Sequence, residues 1–365
     1  MKIILTGGGT GGHVLPAVAI AQALTRKYRG TEILFIGRLG GEENNEILRC
    51  GFELREIKVY GIERSLTLKN VRNICVAIRR IGTAKKIIQE FKPDAVIGTG
   101  GYVCWPVLRG AQSLGIPTLI HESNVYPGLV TRLLSSKCNI TLLNHAETEN
   151  YLKKPKKILC VGNPLRREFT TLTRDEARRK LALGKKELLI LSFGGSGGSM
   201  KMNDCITEMM GKHIQRKSNV RHIHATGRKY YDSYKSNPLK SNGYRIVPYI
   251  DDMSTYLKAA DVVICRAGAM TLSEIAAASC PAILIPSPNV TGNHQYKNAK
   301  HLEREGAALM MEECDLTADS LWGVLSRLLE RENERITMSK CIEKFANRNS
   351  AEVIADLIFK LAKQS

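Results

Sequence analysis

Two glycine-rich turns, each directly after an apolar run, could bind a phosphate group. TGGGTGGH at residues 6–13 follows KIIL, and FGGSGGS at 193–199 follows ELLIL. Glycine allows positive φ angles and a close approach of ligand to backbone, and the start of a helix offers unpaired N–H groups to an anion. Gly7, Gly9 and Gly12 also fit the spacing G-x-G-x-x-G, which several nucleotide-binding folds share. The turns therefore predict anion binding but leave the ligand open.

The end of the second apolar run narrows the choice of nucleotide. An NAD enzyme is expected to have Asp or Glu there to bind the ribose, but EILFIG (32–37) leads into Arg38. NAD is therefore disfavoured, whereas NADP stays open because an arginine can bind its extra phosphate. The sequence also lacks GxxxxGK[ST], which disfavours a P-loop NTPase.

His13, at the end of the first turn, could be either a structural cap or a proton acceptor. The dipole of a helix N-terminus disfavours the protonated imidazole, so a neutral ring beside a substrate pocket could act as a general base. Two more loops, GTGGYVCWP (98–106) and HESN (121–124), follow predicted strands. Because ligands of doubly wound sheets bind at the carboxyl ends of the strands, both loops are expected close to the first turn.

The stretch DVVICRAGAMTLSEIAAAS (261–279) predicts a buried strand, a small-residue loop and a helix. Thr271 or Ser273 is expected to cap this helix. Glu274 is then expected in its first turn, where the carboxylate could accept hydrogen bonds from sugar hydroxyls or complete a capping box. The following loop, PSPNVTGNHQYKNA (286–299), adds polar side chains suited to hydroxyl recognition.

No metal site is predicted. His222 and His224 alternate along a predicted strand and share one face, but no third ligand occurs at a metal-like spacing, so a structural role is expected. The ten cysteines are scattered without a CxxC pair. This pattern predicts neither a zinc site nor a disulfide framework, and it favours reduced thiols in a cytoplasmic protein.

Short apolar runs alternate with amphipathic segments, which predicts parallel, doubly wound sheets. The strands predicted in the first half are KIILT (2–6), EILFIG (32–37), DAVIGT (94–99), TLIHE (118–122), ITLLN (140–144) and ILCVG (158–162). Those predicted in the second half are ELLILSF (187–193), VRHIHATG (220–227), YRIVPYI (244–250), DVVICR (261–266) and AILIPSP (282–288). Helices are predicted at 17–28, about 69–91, 202–215, 271–279 and 350–364.

The predicted fold class is therefore α/β, with two Rossmann-like domains in tandem. The first is expected at 1–163 and the second at 164–349, and a C-terminal helix at 350–365 could pack back on the first. The length of 365 residues suits two domains. No apolar run reaches the roughly 18–20 residues of a membrane-spanning helix, and the N-terminus lacks the pattern of a signal peptide.

The net charge of +19 favours anionic partners: nucleic acid, an anionic membrane surface or phosphorylated substrates. Basic residues are concentrated in 64–92, where only Glu90 opposes Arg64, Lys69, Arg72, Arg79, Arg80, Lys85, Lys86 and Lys92. Apolar area is supplied by Ile74, Val76, Ile78 and Ile81. Each basic residue near an anionic bilayer contributes roughly 1 kcal/mol, so the segment is predicted to dock on a membrane. The alternative is a solvated helix face whose apolar stripe lies in the core.

Seven motifs in order carry a resemblance to a known family: GGTGGH, GTGGYV, HESN, GNPLR, GGSGGS, CRAGAMTLSE and HQYKNA. Over about residues 1–345 the chain resembles the MurG family of bacterial peptidoglycan glycosyltransferases. The resemblance implies a glycosyltransferase B fold with an interdomain cleft, the acceptor on the first domain and the sugar nucleotide largely on the second. It implies inverting, metal-independent transfer of N-acetylglucosamine from UDP-N-acetylglucosamine to the C4 hydroxyl of lipid I, the undecaprenyl-pyrophosphoryl-MurNAc-peptide, without a cofactor.

The resemblance also implies which residues bind the donor: Thr10, Gly11, Gly12, Asn124, Arg166, Ser196, Ile250, Ala269, Met270, Thr271, Leu272, Ser273, Glu274 and Gln295. Ser196 would contact phosphate, the Ile250 backbone the uracil, and Glu274 the ribose. Gln295 would contact sugar hydroxyls, and Asn124 would lie near the sugar or the acceptor.

His13 is the implied catalytic base, with His121 and Glu122 as alternatives. The chain departs from the commoner family pattern at Ser123, Ala267 and His294. The implied location is peripheral, at the cytoplasmic face of the cell membrane. Nucleic acid is not an expected partner, because no recognised nucleic-acid-binding module is present. Other hypotheses are a UDP-sugar transferase of the same fold with a different lipid acceptor, a membrane or nucleic-acid binding scaffold, and an NADP oxidoreductase.

Overall fold

In the computed structural model, which describes residues 1–61, 68–213, 219–235 and 243–363, the chain divides into two units. The first unit comprises Met1–Arg166 and Asn347–Ser365, and the second unit comprises Arg167–Ala346. The chain thus leaves the first unit within the motif GNPLRREF and returns to it for its last helix.

Each unit contains one parallel sheet. The described strands are β1 (Lys2–Thr6), β2 (Glu32–Arg38), β3 (Glu53–Ile57), β4 (Ala95–Gly98), β5 (Thr118–Glu122), β6 (Ile140–Leu143), β7 (Ile158–Cys160), β8 (Leu188–Phe193), β9 (Val220–Ala225), β10 (Tyr244–Val247), β11 (Val262–Cys265), β12 (Ala282–Leu284) and β13 (Leu309–Met310). The first sheet has the order β3-β2-β1-β4-β5-β6-β7, and the second has the order β10-β9-β8-β11-β12-β13. All pairings are parallel, so the α/β prediction is confirmed.

Both sheets reverse their strand order at a corresponding place. In the first the reversal lies between β1 and β4, and in the second between β8 and β11. Ligands of open α/β sheets bind outside the carboxyl ends of the strands at this switch point. The two glycine-rich turns follow β1 and β8, and therefore each lies at the switch point of its own sheet.

Helices fill the connections between the strands. They are α1 (Gly11–Lys27), α2 (Asn44–Arg49), α3 (Leu68–Phe91), α4 (Cys104–Ser113), α5 (Leu129–Leu134), α6 (Glu168–Thr171), α7 (Arg174–Lys180), α8 (Met200–Lys212), α9 (Tyr231–Tyr234), α10 (Met253–Ala259), α11 (Ala269–Ala278), α12 (His294–Arg304), α13 (Ala318–Glu330), α14 (Glu332–Glu343) and α15 (Ser350–Ala362). No helix of the described ranges is long and apolar enough to cross a bilayer.

The last helix, α15, packs against α1. Ile354 and Ile358 are fully buried in the core that α1 shares with the first sheet. The rings of Tyr28 and Phe359 stack with their centroids 4.0 Å apart. Burying each such isoleucine contributes about 1.5–3 kcal/mol, so apolar packing holds α15 on the first unit.

Some element predictions were incomplete. β3 was not predicted because ELREI is mostly charged and exposed at the sheet edge, and β13 has only two residues. α1 begins at Gly11, not at residue 17, directly after the glycine turn. The prediction that Thr271 or Ser273 caps α11 was wrong, because Gly268 is the N-cap and both residues lie inside the helix.

Candidate functional site

The turn after β1 is held by a carboxylate from another part of the first unit. The N–H of Gly9, whose φ is +93°, donates to Glu43 Oε1 at 2.6 Å. Arg38 Nε lies 3.5 Å from the same oxygen, and the Glu43 side chain is only 7% exposed. Burial opposes the charged carboxylate, but the Gly9 hydrogen bond and Arg38 outweigh it and lower the pKa of Glu43. Arg38 is the residue that kept NADP possible as a ligand in the sequence analysis. In the structure its guanidinium is paired with Glu43.

The turn after β4 lies directly against the turn after β1, as predicted. The N–H of Gly8 donates to the carbonyl oxygen of Gly100 at 3.3 Å. Gly101 has a φ of +82°, and a Cβ there would lie 1.8 Å from the Gly8 carbonyl oxygen. Only glycine fits this close approach. The two turns therefore form one structure at the switch point.

His13 lies at the start of α1, half-buried against the turn after β4. Its Nδ1 is 3.3 Å from the carbonyl oxygen of Thr99. A carbonyl oxygen can only accept, so Nδ1 carries the hydrogen in this contact, and Nε2 is the acceptor nitrogen of the neutral ring. Thr10 is the N-cap residue of α1, and no acidic residue occupies the first turn of the helix.

The motif HESN organises the loop after β5. Both oxygens of the buried Glu122 accept hydrogen bonds: Oε1 from the main-chain N–H and the side-chain amide of Asn124, each at 3.1 Å, and Oε2 from Gly128 N at 2.9 Å and Thr131 Oγ1 at 2.7 Å. These four contacts hold the Glu122 carboxylate in place, and through them Glu122 shapes the loop and orients Asn124.

His121 is fully buried beside it. Its Nε2 donates to the carbonyl oxygen of Gly162 at 3.0 Å, and burial is the main cause that lowers the pKa of this imidazole. Gly162 also packs tightly against Asn347, whose side-chain amide donates to Val161 O at 2.9 Å. His121 thus supports the segment where the chain leaves the first unit.

In the second unit, the turn after β8 exposes Ser196 and ends at Ser199, the N-cap residue of α8. Gly198 has a φ of +72°, and a Cβ there would lie 2.1 Å from the carbonyl oxygen of Thr226. The close contact with the end of β9 requires glycine at this position.

The helix α11 starts beside this turn, after the adjacent strand β11. Its first intrahelical hydrogen bond runs from Leu272 N to the carbonyl oxygen of Gly268. The first turn contains no acidic residue. Glu274 lies in the second turn rather than the first, and it is 7% exposed. Ser273 Oγ donates to the Ala269 carbonyl oxygen at 3.1 Å.

The loop after β12 folds back on itself through Gln295. Its Oε1 accepts a hydrogen bond from Ser287 N at 2.9 Å. A cavity of about 510 Å³ lies beside this loop, with Ser287 and Tyr296 in its wall. Ile250, which follows β10, is buried. Among the residues described, no group of three or more His, Cys, Asp or Glu side chains could hold a metal ion.

Arg166, an implied donor-binding residue, is the last residue of the first segment of the first unit. Its Nη1 lies 3.2 Å from Glu46 Oε1, and both side chains are largely buried. The sequence reasoning overlooked Glu43 and Arg266, which contact the two glycine turns. Neither has a recognisable spacing to the turn it contacts, so no local signal identifies them.

Comparison with known proteins extends over the whole chain. Residues 3–142 match the glycosyltransferase family 28 N-terminal domain, and residues 189–357 match the glycosyltransferase family 28 C-terminal domain. A protein of Acetivibrio thermocellus is 41% identical, with 100% of this chain and 99% of the relative covered. One of Oenococcus oeni is 36% identical, with 100% and 98% covered. Both are named UDP-N-acetylglucosamine–N-acetylmuramyl-(pentapeptide) pyrophosphoryl-undecaprenol N-acetylglucosamine transferase.

Solved structures agree with this match. Acinetobacter baumannii MurG superposes with a TM-score of 0.72 at 25% identity, covering 98% of this chain and 99% of that chain. A UDP-N-acetylglucosamine 2-epimerase from Neisseria meningitidis superposes with a TM-score of 0.67 at 11% identity, covering 99% and 100%. The second likeness concerns the fold alone.

Proposed function

Because the chain belongs to glycosyltransferase family 28, we propose that it transfers N-acetylglucosamine from UDP-N-acetylglucosamine to lipid I, forming lipid II for peptidoglycan. The observation that carries this proposal is the 41% identity, over the whole chain, to a relative named for the reaction. The fold supports it, because each unit has a glycine turn and a helix N-terminus at the switch point of its sheet, a combination suited to diphosphates.

The second unit is the proposed donor site. The N-terminus of α11 would receive the diphosphate together with Ser196, and the Ile250 backbone would read the uracil. Glu274 would accept hydrogen bonds from the ribose hydroxyls, since a carboxylate suits hydroxyl donors and repels phosphate. Gln295, already fixed by Ser287 N, would contact the hydroxyls of the sugar. Ala269, Met270, Thr271, Leu272 and Ser273 complete the proposed set in the second unit, and Arg166 of the first unit is a further proposed contact of the nucleotide.

The first unit supplies the proposed base. The acceptor C4 oxygen attacks the anomeric carbon of N-acetylglucosamine from the face opposite UDP, the bond from that carbon to the diphosphate oxygen breaks, and UDP leaves with the electron pair. The proton of the C4 hydroxyl passes to Nε2 of His13, the acceptor nitrogen of its neutral ring. Thr10, Gly11 and Gly12 are proposed contacts of the donor, and Asn124 a proposed contact of the sugar or the acceptor.

Stabilisation of the departing diphosphate is the larger proposed contribution. Preorganised N–H donors aimed at developing negative charge contribute about 3–4 kcal/mol each at oxyanion sites. General-base catalysis contributes roughly 10²–10⁴-fold. The start of α11 lacks acidic residues, and Ala269 and Met270 are buried there, so the helix N-terminus is suited to preorganisation without a metal ion.

We also propose that α3 docks the protein on the cytoplasmic face of the membrane, because the polyprenyl tail of the acceptor stays in the bilayer. In the first half of α3 the usual pattern is inverted. Val71, Ile74 and Ile78 are 59%, 45% and 52% exposed, whereas Asn70 and Asn73 are buried. The basic residues Arg72, Arg79 and Lys86 are exposed on the same helix, and Arg64 lies outside the described residues. An apolar stripe with basic neighbours suits an anionic bilayer.

The function is tested by incubating the protein with radiolabelled UDP-N-acetylglucosamine and a lipid I analogue, with and without EDTA. We expect label in the lipid product, at an unchanged rate in EDTA. A parallel reaction with diacylglycerol tests the acceptor. Transfer to diacylglycerol alone would replace the proposed acceptor class, and a protein that binds UDP but glycosylates neither lipid would contradict the proposed activity.

A further inference from the structure

One buried cation of the second unit has no part in the reaction as proposed above. Arg266 follows β11 directly and lies two residues before Gly268, the N-cap residue of α11. The residue is 9% exposed, and its guanidinium lies among main-chain and side-chain oxygens rather than in solvent. A buried guanidinium is costly unless it is paired and hydrogen-bonded, so its partners carry the argument.

Arg266 joins three separate segments of the chain. Nη1 donates to the carbonyl oxygens of Ile285 and Pro286, at 3.1 and 3.3 Å. Nη2 donates to Ser199 Oγ at 2.7 Å, and it also pairs with the carboxylate of Glu313. The planar fork of a guanidinium can reach four acceptors in fixed directions, which the single ammonium of a lysine cannot do.

The joined segments are those that carry the proposed donor contacts. Ser199 ends the glycine turn that exposes Ser196. Pro286 begins the loop that Gln295 closes by accepting from Ser287 N. The main chain of Arg266 itself leads into α11. One side chain therefore links three parts of the proposed donor site. They are the glycine turn at 193–199 (the diphosphate turn), the loop at 286–299 (the sugar loop) and the start of α11.

Glu313 determines what Arg266 can do. An unpaired arginine beside a diphosphate would turn to it as a counter-ion. Glu313, whose side chain is 20% exposed, instead holds Nη2 next to Ser199. The guanidinium thus acts on the backbone around the donor and not on the donor itself.

We propose that Arg266, held by Glu313, is a positioning residue that sets the diphosphate turn and the sugar loop in their donor-binding arrangement. The proposal rests on the proposed function, since it concerns binding of UDP-N-acetylglucosamine. Loss of the Arg266–Glu313 pair (the clamp) lets both segments move. UDP contacts only the diphosphate turn and α11, so affinity for UDP-N-acetylglucosamine falls by more than affinity for UDP.

The experiment compares Arg266→Lys, Glu313→Gln and the control Glu305→Gln, an exposed carboxylate of the second unit that does not line the cavity beside the sugar loop. Steady-state kinetics gives KM and kcat, calorimetry gives Kd for UDP and for UDP-N-acetylglucosamine, and fluorescence of Trp322 follows unfolding of the second unit. We expect KM for the donor to rise at least tenfold in Arg266→Lys and at least threefold in Glu313→Gln, with kcat changed less than threefold. Glu305→Gln should match the wild type.

Two results for the folded variants would overturn the proposal. A donor KM equal to wild type in the folded variants, with or without a lower unfolding midpoint, leaves the clamp a purely structural role. If Arg266→Lys does not fold, Glu313→Gln decides alone. Equal losses for UDP and for the whole donor contradict a role in the sugar loop. If the wild type itself binds no UDP-N-acetylglucosamine, the proposed function fails and the clamp fails with it, whereas wild-type binding with unaffected variants removes the clamp alone.

Discussion

The hydroxyl of Thr99 donates to the carbonyl oxygen of His13 at 2.6 Å, while the ring of His13 reaches back to within 3.3 Å of the Thr99 carbonyl oxygen. This reciprocal contact joins the turn after β4 to the first turn of α1. It fixes both the backbone that carries His13 and the tautomer of its ring. Because these contacts use the main chain and Nδ1, the proposed role of Nε2 as a base can be tested separately from the fold.

Replacing His13 with Asn should separate catalysis from structure, since the Asn amide can still donate to Thr99 O but offers no nitrogen in the place of Nε2. We expect kcat to fall about 100-fold or more, in line with loss of a general base, and KM to change less than threefold. Steady-state transfer assays with saturating lipid I analogue provide the measurement. A kcat equal to that of the wild type would show that His13 is not the catalytic base.

Glu274→Ala should raise KM for UDP-N-acetylglucosamine tenfold or more, which corresponds to about 1.4 kcal/mol of lost interaction with the ribose. The matched comparison is a donor that lacks a ribose hydroxyl. Wild type should discriminate against this analogue, and the variant should not. Undiminished discrimination in a folded variant would remove Glu274 from the ribose site.

Glu43→Gln should destabilise the first unit by about 1–3 kcal/mol, because the partly exposed Arg38 loses its charged partner and the Gly9 N–H loses a charge-assisted bond to a buried carboxylate. Urea unfolding in a Trp322→Phe background reads the first unit through Trp105. The exposed neighbour serves as control, and Glu42→Gln should leave the midpoint unchanged. Equal midpoints for the two variants would argue against the Glu43 contact.

The buried histidines of the second unit should make its stability fall in mild acid. Ser192 Oγ lies 2.7 Å from His222 Nε2 and 2.8 Å from His224 Nδ1, and His224 Nε2 lies 3.1 Å from Asn203 Oδ1. Because that oxygen only accepts, His224 donates through Nε2. Its Nδ1 lies next to two oxygens of Ser192, the hydroxyl at 2.8 Å and the carbonyl at 3.2 Å.

Burial lowers the pKa of His224 to about 4 and that of His222 well below its ordinary value. A lowered folded-state pKa means that the unfolded chain binds protons first, so stability is complete above about pH 6.5 and falls as the pH drops toward 4. For His224 the loss is of the order of 3 kcal/mol. Urea unfolding read by Trp322 in a Trp105→Phe background should show the fall, and His224→Gln should flatten it. A wild-type midpoint constant from pH 7.5 to 5 would refute the prediction.

Membrane docking through α3 predicts that Ile74→Ser with Ile78→Ser weakens sedimentation with anionic vesicles several-fold. Burying each isoleucine in the interface contributes about 1.5–3 kcal/mol at most, so two losses should be easily detected. Ile336→Ser, on an equally exposed residue of α14, is the control and should sediment like wild type. Equal binding of wild type to neutral and anionic vesicles would contradict the electrostatic contribution.

Strands and turns could be predicted from the sequence because the residue patterns that indicate them are local. A short apolar run bounded by glycine predicted β1, β4, β8 and β11 closely. The charged edge strand β3 lacked that signal. The cap of α11 was misplaced because a small-residue loop followed by Thr and Ser fits several starting points, and the helix begins after Gly268, which has no side chain to signal a cap. The sequence also left open whether Ile74 is exposed. Helical spacing shows which residues share a face of the helix, but it does not show whether that face packs against the core or meets solvent.

By itself the sequence determined the order of strand, glycine turn and helix in both units, since φ preferences and hydrophobic period act within a few residues of the chain. Tertiary structure alone decided which side chains support those turns. Glu43 is 34 residues from Gly9, and Arg266 is 67 residues from Ser199 and 47 from Glu313. Such contacts depend on strand order and on burial of charge, and they arise only when distant segments pack together.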